Sequence, residues 1–283
     1  MPAILLEGKA IAEKLKCAIK SEVEALKPKK GRAPRLTAVQ IGENASSAVY
    51  VKAQKKAAES LGIEYELKPL AENTTESQAE DLIDELNNDG DVTAIILQLP
   101  APKGIDAKRL INLIAPEKDA EGMHPENLGK ILLGKYRIGP CTAMAVMELL
   151  ESAGVKLYGK EAVVVGHSEI VGKPLCLMLL DKFATTTVCH IATGERGSLA
   201  DHVKRAEVLV VAVGKAGLIK GDWVKEGAIA IDVGINKVGD KIVGDIEFEG
   251  ASQRAAYITP VPGGVGPLTT TILMRNVVEL FKG

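Results

Sequence analysis

Apolar residues stand at Ile11, Leu15, Ile19, Val23 and Leu26, three or four positions apart, with Lys and Glu between them. That spacing lays one apolar stripe along a helix over residues 8–26. The period then shortens. Residues 36–41 (LTAVQI) read as a strand, Gly42, Glu43 and Asn44 as a turn, and residues 45–61 as a helix. A strand at 63–67, a helix at 76–87 and a strand at 92–99 (VTAIILQL) continue the alternation. Strands joined by helices in this way imply a parallel sheet with right-handed crossovers. Pro100, Pro102 and Gly104 interrupt the pattern, and residues 106–114 read as helical. Residues 116–134 read as loop-rich, because Gly122, Pro125 and Gly129 punctuate them.

A helix over 142–152, ending at Gly154, leads into a second series. Its strands fall at 162–165, 186–190, 208–213 and 228–233, with a loop holding Asp222 and Trp223 before the last of these. A short strand at 257–259 precedes the loop TPVPGGVGP and a final helix at 267–281. The strands are continuous aliphatic runs, the pattern of strands covered on both faces. The fold class is therefore α/β with two domains. No change of composition marks the boundary, which the bridging helix places within residues 140–155.

Residues 161–174, EAVVVGHSEIVGKP, form the most informative stretch. A buried strand ends at Gly166, a tight turn follows, and Pro174 is tolerable only in the first turn of a helix, which puts the helix start near Val171 or Gly172. The unpaired amides and positive dipole of such a start attract phosphate. The spacing departs from G-x-G-x-x-G, since Ser168 and Val171 replace the second and third glycines.

Composition narrows the function classes. The net charge of −2 gives no reason to expect nucleic acid or an anionic membrane as partner. No apolar run approaches the roughly 20 residues of a membrane span, and MPAILLEGKA lacks the basic start of a signal peptide. Cys17, Cys141, Cys176 and Cys189 lie far apart without clustered His, which predicts a reduced, cytoplasmic protein with no metal site.

The set SSAVYV, AIILQLPAP, HPENLGK, GPCTA, VVVGHSEIVGKP, GDWVKEGAIAIDVGIN and ITPVPGGVGPLT resembles the bifunctional methylenetetrahydrofolate dehydrogenase/cyclohydrolase family, in unbroken order from about Leu36 to the C-terminus. The resemblance implies a folate-binding domain over residues 1–145, completed by the helix at 267–283, and a Rossmann-type NAD(P)-binding domain with a parallel sheet over 146–266, facing each other across a cleft. It implies a cytoplasmic homodimer of one-carbon metabolism. Such an enzyme oxidises 5,10-methylenetetrahydrofolate to the methenyl form by hydride transfer to NADP or NAD, then hydrolyses the product to 10-formyltetrahydrofolate.

Carried over residue by residue, the resemblance assigns catalysis and folate contact to Tyr50, position 54, Gln98 and Glu121. Further folate contacts fall to Leu99, Pro262, Gly263, Gly264 and Val265. The family pattern Y-V-x-x-K-x-K puts a lysine one helical turn after the tyrosine, and here that position is Gln54, with Lys56 matching the second lysine. A glutamine amide donates hydrogen bonds but carries no proton on and off near neutral pH. The residues thus predict a dehydrogenase whose cyclohydrolase step is weakened or lost. Glu121 stands where the family has Asp, placed to grip the pterin edge. Lone His124 reads as a structural loop residue and Cys141 as a small buried one.

For the cofactor, the resemblance assigns Gly166, His167, Ser168, Ile191, Thr193, Arg196 and Ile235, and puts Asp232 and Gly234 at its edge. The family's arginine after the first glycine is replaced by His167, and no acid ends the strand CHIAT. The following segment, ATGERGS, reads as a loop about three residues longer than usual. It offers Arg196 to a 2′-phosphate, or leaves it an exposed loop residue. NADP is the expected cofactor with NAD open. Two other readings stand beside the first: a different NAD(P)-dependent dehydrogenase, and a catalytically silent dinucleotide-binding or interaction module.

Overall fold

The computed structural model describes residues 2–43 and 45–283, and of residues 45–47 and 49 the backbone alone. Asn44 of the expected turn, and the side chains of Ser46 and Ser47 in the SSAVYV motif, lie outside the described residues. The chain divides into two units, one of Met1–Glu13 with Pro140–Thr269, the other of Lys14–Gly139 with Thr270–Gly283.

In the Lys14–Gly139 unit a three-stranded parallel sheet has Arg35–Ile41 at its centre, between Glu64–Leu70 and Ala94–Leu97. Ala94–Leu97 is fully buried, and Val39, Ile41, Ile83, Leu86, Ile95, Leu97 and Leu110 pack together. The helices have clear starts. Thr75 and Gln78 bond reciprocally, side chain to backbone, before Glu76–Asn88. The Asp106 carboxylate accepts from the amides of Lys108 and Arg109 before Ala107–Leu113.

The expected loop at 116–134 contains a helix, Pro125–Leu132. Pro125 occupies its first turn, where proline has no hydrogen bond to lose, and Nδ1 of His124 accepts from the Glu126 amide at 3.1 Å. The proline taken as a breaker is a starter. His124 is a cap, as its reading as a structural residue anticipated.

The other unit is a six-stranded parallel sheet in the order Ile4–Leu5, Tyr257–Ile258, Ile229–Asp232, Val208–Val211, Glu161–Val165, Thr185–Cys189. Val163, Val165, Leu209, Val211, Ala230 and Ile258 form one continuous core with residues of the flanking helices. Three elements here carry no sequence signal. Ile4–Leu5 is two residues long, the antiparallel hairpin Asn236–Val238/Lys241–Val243 has strands of three, and the helix Phe248–Arg254 contains Gly250. Each is too short or too polar to show a period.

Candidate active site

At the end of Glu161–Val165 the chain turns through Gly166 at φ +121°, and a Cβ there would run into the carbonyl oxygen of Ala212. A Cβ on Gly172 would likewise strike the carbonyl oxygen of Gly166. The close approach of helix to strand that the third glycine of a dinucleotide motif permits is therefore made by Gly172, one residue later than the standard spacing. Val171 caps the helix Gly172–Asp181, with Pro174 in the first turn. Ser168 holds the turn: its Oγ accepts from the Val171 amide at 3.2 Å and its carbonyl from the Lys173 amide at 3.0 Å.

Above the carboxyl ends of three parallel strands lies a cavity of about 860 Å³ whose wall includes Gly166, His167, Ser168, His190, Ile191 and Lys215. It lies where open α/β sheets bind nucleotides, and its size suits a cofactor. Two backbone positions that admit only glycine and the cavity-lining Lys215 fit a dinucleotide. Thr193, Arg196 and Ile235 are not among the lining residues. The expected long loop after the strand is a short helix, Ile191–Glu195, because Thr193 Oγ1 accepts from the His190 amide and fixes its first turn. Arg196 closes that helix and is exposed. Ile235 is exposed just before the hairpin.

Asp232 is not at an open edge. It is buried, its carboxylate accepts from the amides of Gly234, Asp245 and Ile246, and burial raises it to about 6. Asp245, also buried, accepts from the amides of Val213, Gly214 and Lys215 and from Nδ2 of Asn236. It thereby fixes the loop that carries two cavity-lining residues, Val213 and Lys215.

In the Lys14–Gly139 unit, Tyr50 is an exposed residue of the helix Ala45–Ser60, one turn before Gln54. The Gln54 Oε1 accepts twice, from Nε2 of Gln98 at 2.8 Å and from the Tyr65 hydroxyl at 3.0 Å. The structure thus brings Gln54 and Gln98 into contact at the carboxyl end of the sheet. Tyr65 was missed because nothing in a strand of alternating charge marks it. Burial pushes its hydroxyl up to about 12, so it stays neutral. Lys52, Lys55 and Lys56 are exposed.

Glu121 is placed by backbone pairing. Ile95 bridges Asp119 in parallel, and Glu121 follows in the turn that the Gly122 amide closes on the Asp119 carbonyl. Buried Asp119 accepts from the His124 amide at 2.8 Å and from Nδ2 of Asn127 at 3.0 Å. Asn276 donates to the carbonyls of Ala120 and Gly139. Burial and the neighbouring charge of Asp119 raise the Glu121 carboxyl to about 7, so it keeps its proton well above the usual carboxylate range. Leu99 follows, half exposed.

The glycines of VPGGVGP answer first to packing within their own unit. The Gly8 amide donates to the Gly263 carbonyl at 2.9 Å, and a Cβ on Gly8 would strike the Gly264 carbonyl. Pro262 is exposed, Gly263 half-buried at φ +114°, and Gly264 buried against Thr259. Buried Val265 opens the last helix, Val265–Lys282, two residues earlier than expected, with Pro267 in its first turn.

Residues 6–121 match the tetrahydrofolate dehydrogenase/cyclohydrolase catalytic domain, and residues 140–283 match the NAD(P)-binding domain of the same enzymes. The chain belongs to the tetrahydrofolate dehydrogenase/cyclohydrolase family. It is 49% identical over 281 residues to the bifunctional protein FolD of Pelobacter propionicus, covering 99% of this chain and 98% of that one. A crystal structure of the FolD methylenetetrahydrofolate dehydrogenase/cyclohydrolase of Campylobacter jejuni superposes with a TM-score of 0.95 at 42% identity, covering 99% of each chain. The Trypanosoma brucei FolD, complexed with NADP cofactor and inhibitor, gives a TM-score of 0.93 at 38% identity over 100% of this chain and 98% of that one. Family membership overturns the reading as another kind of dehydrogenase. Among the described residues no helix is long and apolar enough to cross a membrane, and no group of three or more His, Cys, Asp or Glu is placed to hold a metal.

Proposed function

We propose that the chain oxidises 5,10-methylenetetrahydrofolate to 5,10-methenyltetrahydrofolate with NADP, and that its hydrolysis of the methenyl product is slow. It is an NAD(P)-dependent enzyme of one-carbon folate metabolism. The glycine cradle below a cofactor-sized cavity, in a chain that matches both family domains, carries the dehydrogenase reading. NADP held in this cavity would supply the acceptor for the hydride that leaves the folate methylene carbon. That step requires positioning and exclusion of water rather than a proton carrier.

Within this reading Gly166, Ser168 and Ile191 seat the dinucleotide, and His167, Thr193, Arg196 and Ile235 surround it. Tyr50 and Leu99 offer apolar contact to the folate, Gln98 a hydrogen bond, and ionised Glu121 two acceptors for the pterin's N–H groups. Pro262, Gly263, Gly264 and Val265 complete the folate contacts. Gln54 stands at the reacting end, where its amide orients Gln98 and supplies no proton. Purified protein should reduce NADP when given methylenetetrahydrofolate. No reduction above buffer with either cofactor would leave only the silent binding module.

We further read the protein as a cytoplasmic homodimer. Among the described residues, the strand Thr185–Cys189 ends the six-stranded sheet with one edge unpaired. Beside it Phe183 and Tyr158 are 71% and 80% exposed, with ring centroids 5.6 Å apart. An open edge next to exposed aromatic residues favours pairing with a second copy. Sedimentation of Phe183→Glu against the native chain tests this, with dissociation expected.

A further inference from the structure

In a nucleotide-binding α/β unit, the residue about 20 positions after the glycine turn, at the end of the second strand, reads the 2′ position of the adenosine ribose. A carboxylate there accepts from a free hydroxyl, and a cation takes up a phosphate. In this chain the residue that closes Thr185–Cys189 is His190. Its ring lies 5.4 Å from that of His167, centroid to centroid, with the planes tilted by 54°. His167 directly follows Gly166, and both rings are exposed on the wall of the same cavity.

We propose that His190 and His167 form a paired-imidazole subsite for the 2′-phosphate of NADP, so that the choice between NADP and NAD depends on pH. The proposal rests on the dinucleotide reading of this cavity. Two imidazoles at this separation can both donate to one phosphate when charged. Two imidazoliums so close repel each other unless an anion joins them, so phosphate binding and protonation favour each other.

The surrounding charges leave the pair in control. Glu195 and Lys215 are the ionisable residues that share the cavity wall with the two histidines. Glu195 opposes a phosphate and Lys215 favours it, and neither type changes charge between about pH 6 and 8 in its ordinary state. Arg196, next along the short helix, keeps its charge at any working pH. On the helix after the glycine turn, Lys173 pairs with Glu169 at 3.7 Å. Behind the strand, Arg205 is engaged by Glu161 at 3.8 Å and by the Thr187 hydroxyl. Cys189 is buried, and burial raises its thiol, which keeps it neutral.

The sign is specific. A phosphomonoester gains its second charge around pH 6. The ligand's own titration therefore strengthens binding as pH rises, whereas loss of imidazolium weakens it. A fall in phosphate preference above pH 6.5 must come from the protein, and a preference carried by Arg196 would rise slightly and then level off.

The test uses the full chain and two probes, adenosine 2′,5′-bisphosphate and 5′-AMP, with NADP and NAD as a second pair. Trp223 is the only tryptophan and lines the cavity, so its fluorescence reports binding without turnover. The affinity ratio of bisphosphate to monophosphate should fall about tenfold or more between about pH 6.5 and about pH 8.5, the size of one charge-assisted hydrogen bond. Bisphosphate should move the imidazole proton resonances of His167 and His190 to their protonated positions, while His124 and His202 stay in place. His190→Asn and His167→Asn should each flatten the pH dependence of the ratio. A ratio that does not fall as pH rises, or one whose fall survives in both variants, overturns the proposal. If 5′-AMP and NAD bind while the ratio does not fall, only the subsite is lost. If no nucleotide binds at any pH, the dinucleotide reading falls with it.

Discussion

Replacing Gln54 by Lys should separate the two steps of the family's chemistry. In the native chain the Gln54 Oε1 accepts from Gln98 at 2.8 Å and from Tyr65 at 3.0 Å. A lysine brings three donors and no acceptor, so both hydrogen bonds are lost as drawn. Gln98 recovers by turning its amide to face the ammonium with oxygen, and the Tyr65 oxygen can accept. With each lost neutral bond worth about 0.5–1.5 kcal/mol and largely replaced, Gln54→Lys should cost no more than about 1–2 kcal/mol of stability. The gain lies in chemistry. Hydrolysis adds water to the methenyl carbon and must move protons as the adduct collapses. A positioned acid–base group typically contributes about 10²–10⁴-fold to such a step. Desolvation at this half-buried position draws the lysine toward neutral pH, as the role requires. The assay starts from methylenetetrahydrofolate and NADP and follows reduced cofactor and methenyl species together. Native protein should accumulate the methenyl species. Gln54→Lys should pass it on to the formyl product, with NADP reduction changed less than about tenfold. Gln54→Met, which removes the hydrogen bonds without adding a proton carrier, should gain nothing. Native protein that hydrolyses the methenyl species as fast as it forms would refute the reasoning. So would Gln54→Lys and Gln54→Met behaving alike.

Other outcomes follow from the same geometry. The Glu121 carboxyl is raised in the folded chain from 4.5 to about 7, so its ionisation opposes folding as pH climbs through that window. Glu121→Gln should therefore match native stability near pH 4.5 and exceed it increasingly up to about pH 7, by at most on the order of 3 kcal/mol; a constant difference across this range in denaturant titrations would contradict the assignment. The same variant should raise the folate Michaelis constant, and native folate affinity should fall as pH drops below 7. Gly172→Ala drives a methyl against the Gly166 carbonyl, and should cost about 1–3 kcal/mol with at least a tenfold loss of dinucleotide affinity by fluorescence. Asn276→Ala removes the donor to the carbonyls of Ala120 and Gly139 and should lower stability by about 1–3 kcal/mol in thermal unfolding.

The strands and long helices were legible because their aliphatic runs are continuous or periodic. The turn at Gly166 and the helix start at Val171 followed from where glycine and proline are tolerated. Tolerance, however, depends on position within an element. Pro125 and Gly129 looked like loop residues, yet one sits in a helix's first turn and the other at an open surface within the same helix. Much of what holds the site was invisible for a different reason. Tyr65, Asp245 and Asn276 act over separations of 11, about 30 and 156 residues, and no local spacing encodes such contacts. The ATGERGS segment misled because Thr193 turns a polar stretch into a helix by capping it.

The contacts of Asn276 also bear on the order in which the protein is made. Residues 14–139, which hold Tyr50, Gln54, Gln98 and Glu121, leave the ribosome before residues 140–269 of the other unit. Their unit is nonetheless finished by Thr270–Gly283, which is translated after all of 140–269, and Asn276 of that segment donates to the carbonyls of Ala120 and Gly139. A unit begun before residues 140–269 are made is thus completed only after them. Until the final helix arrives, the bonds from Asn276 to these two carbonyls cannot form.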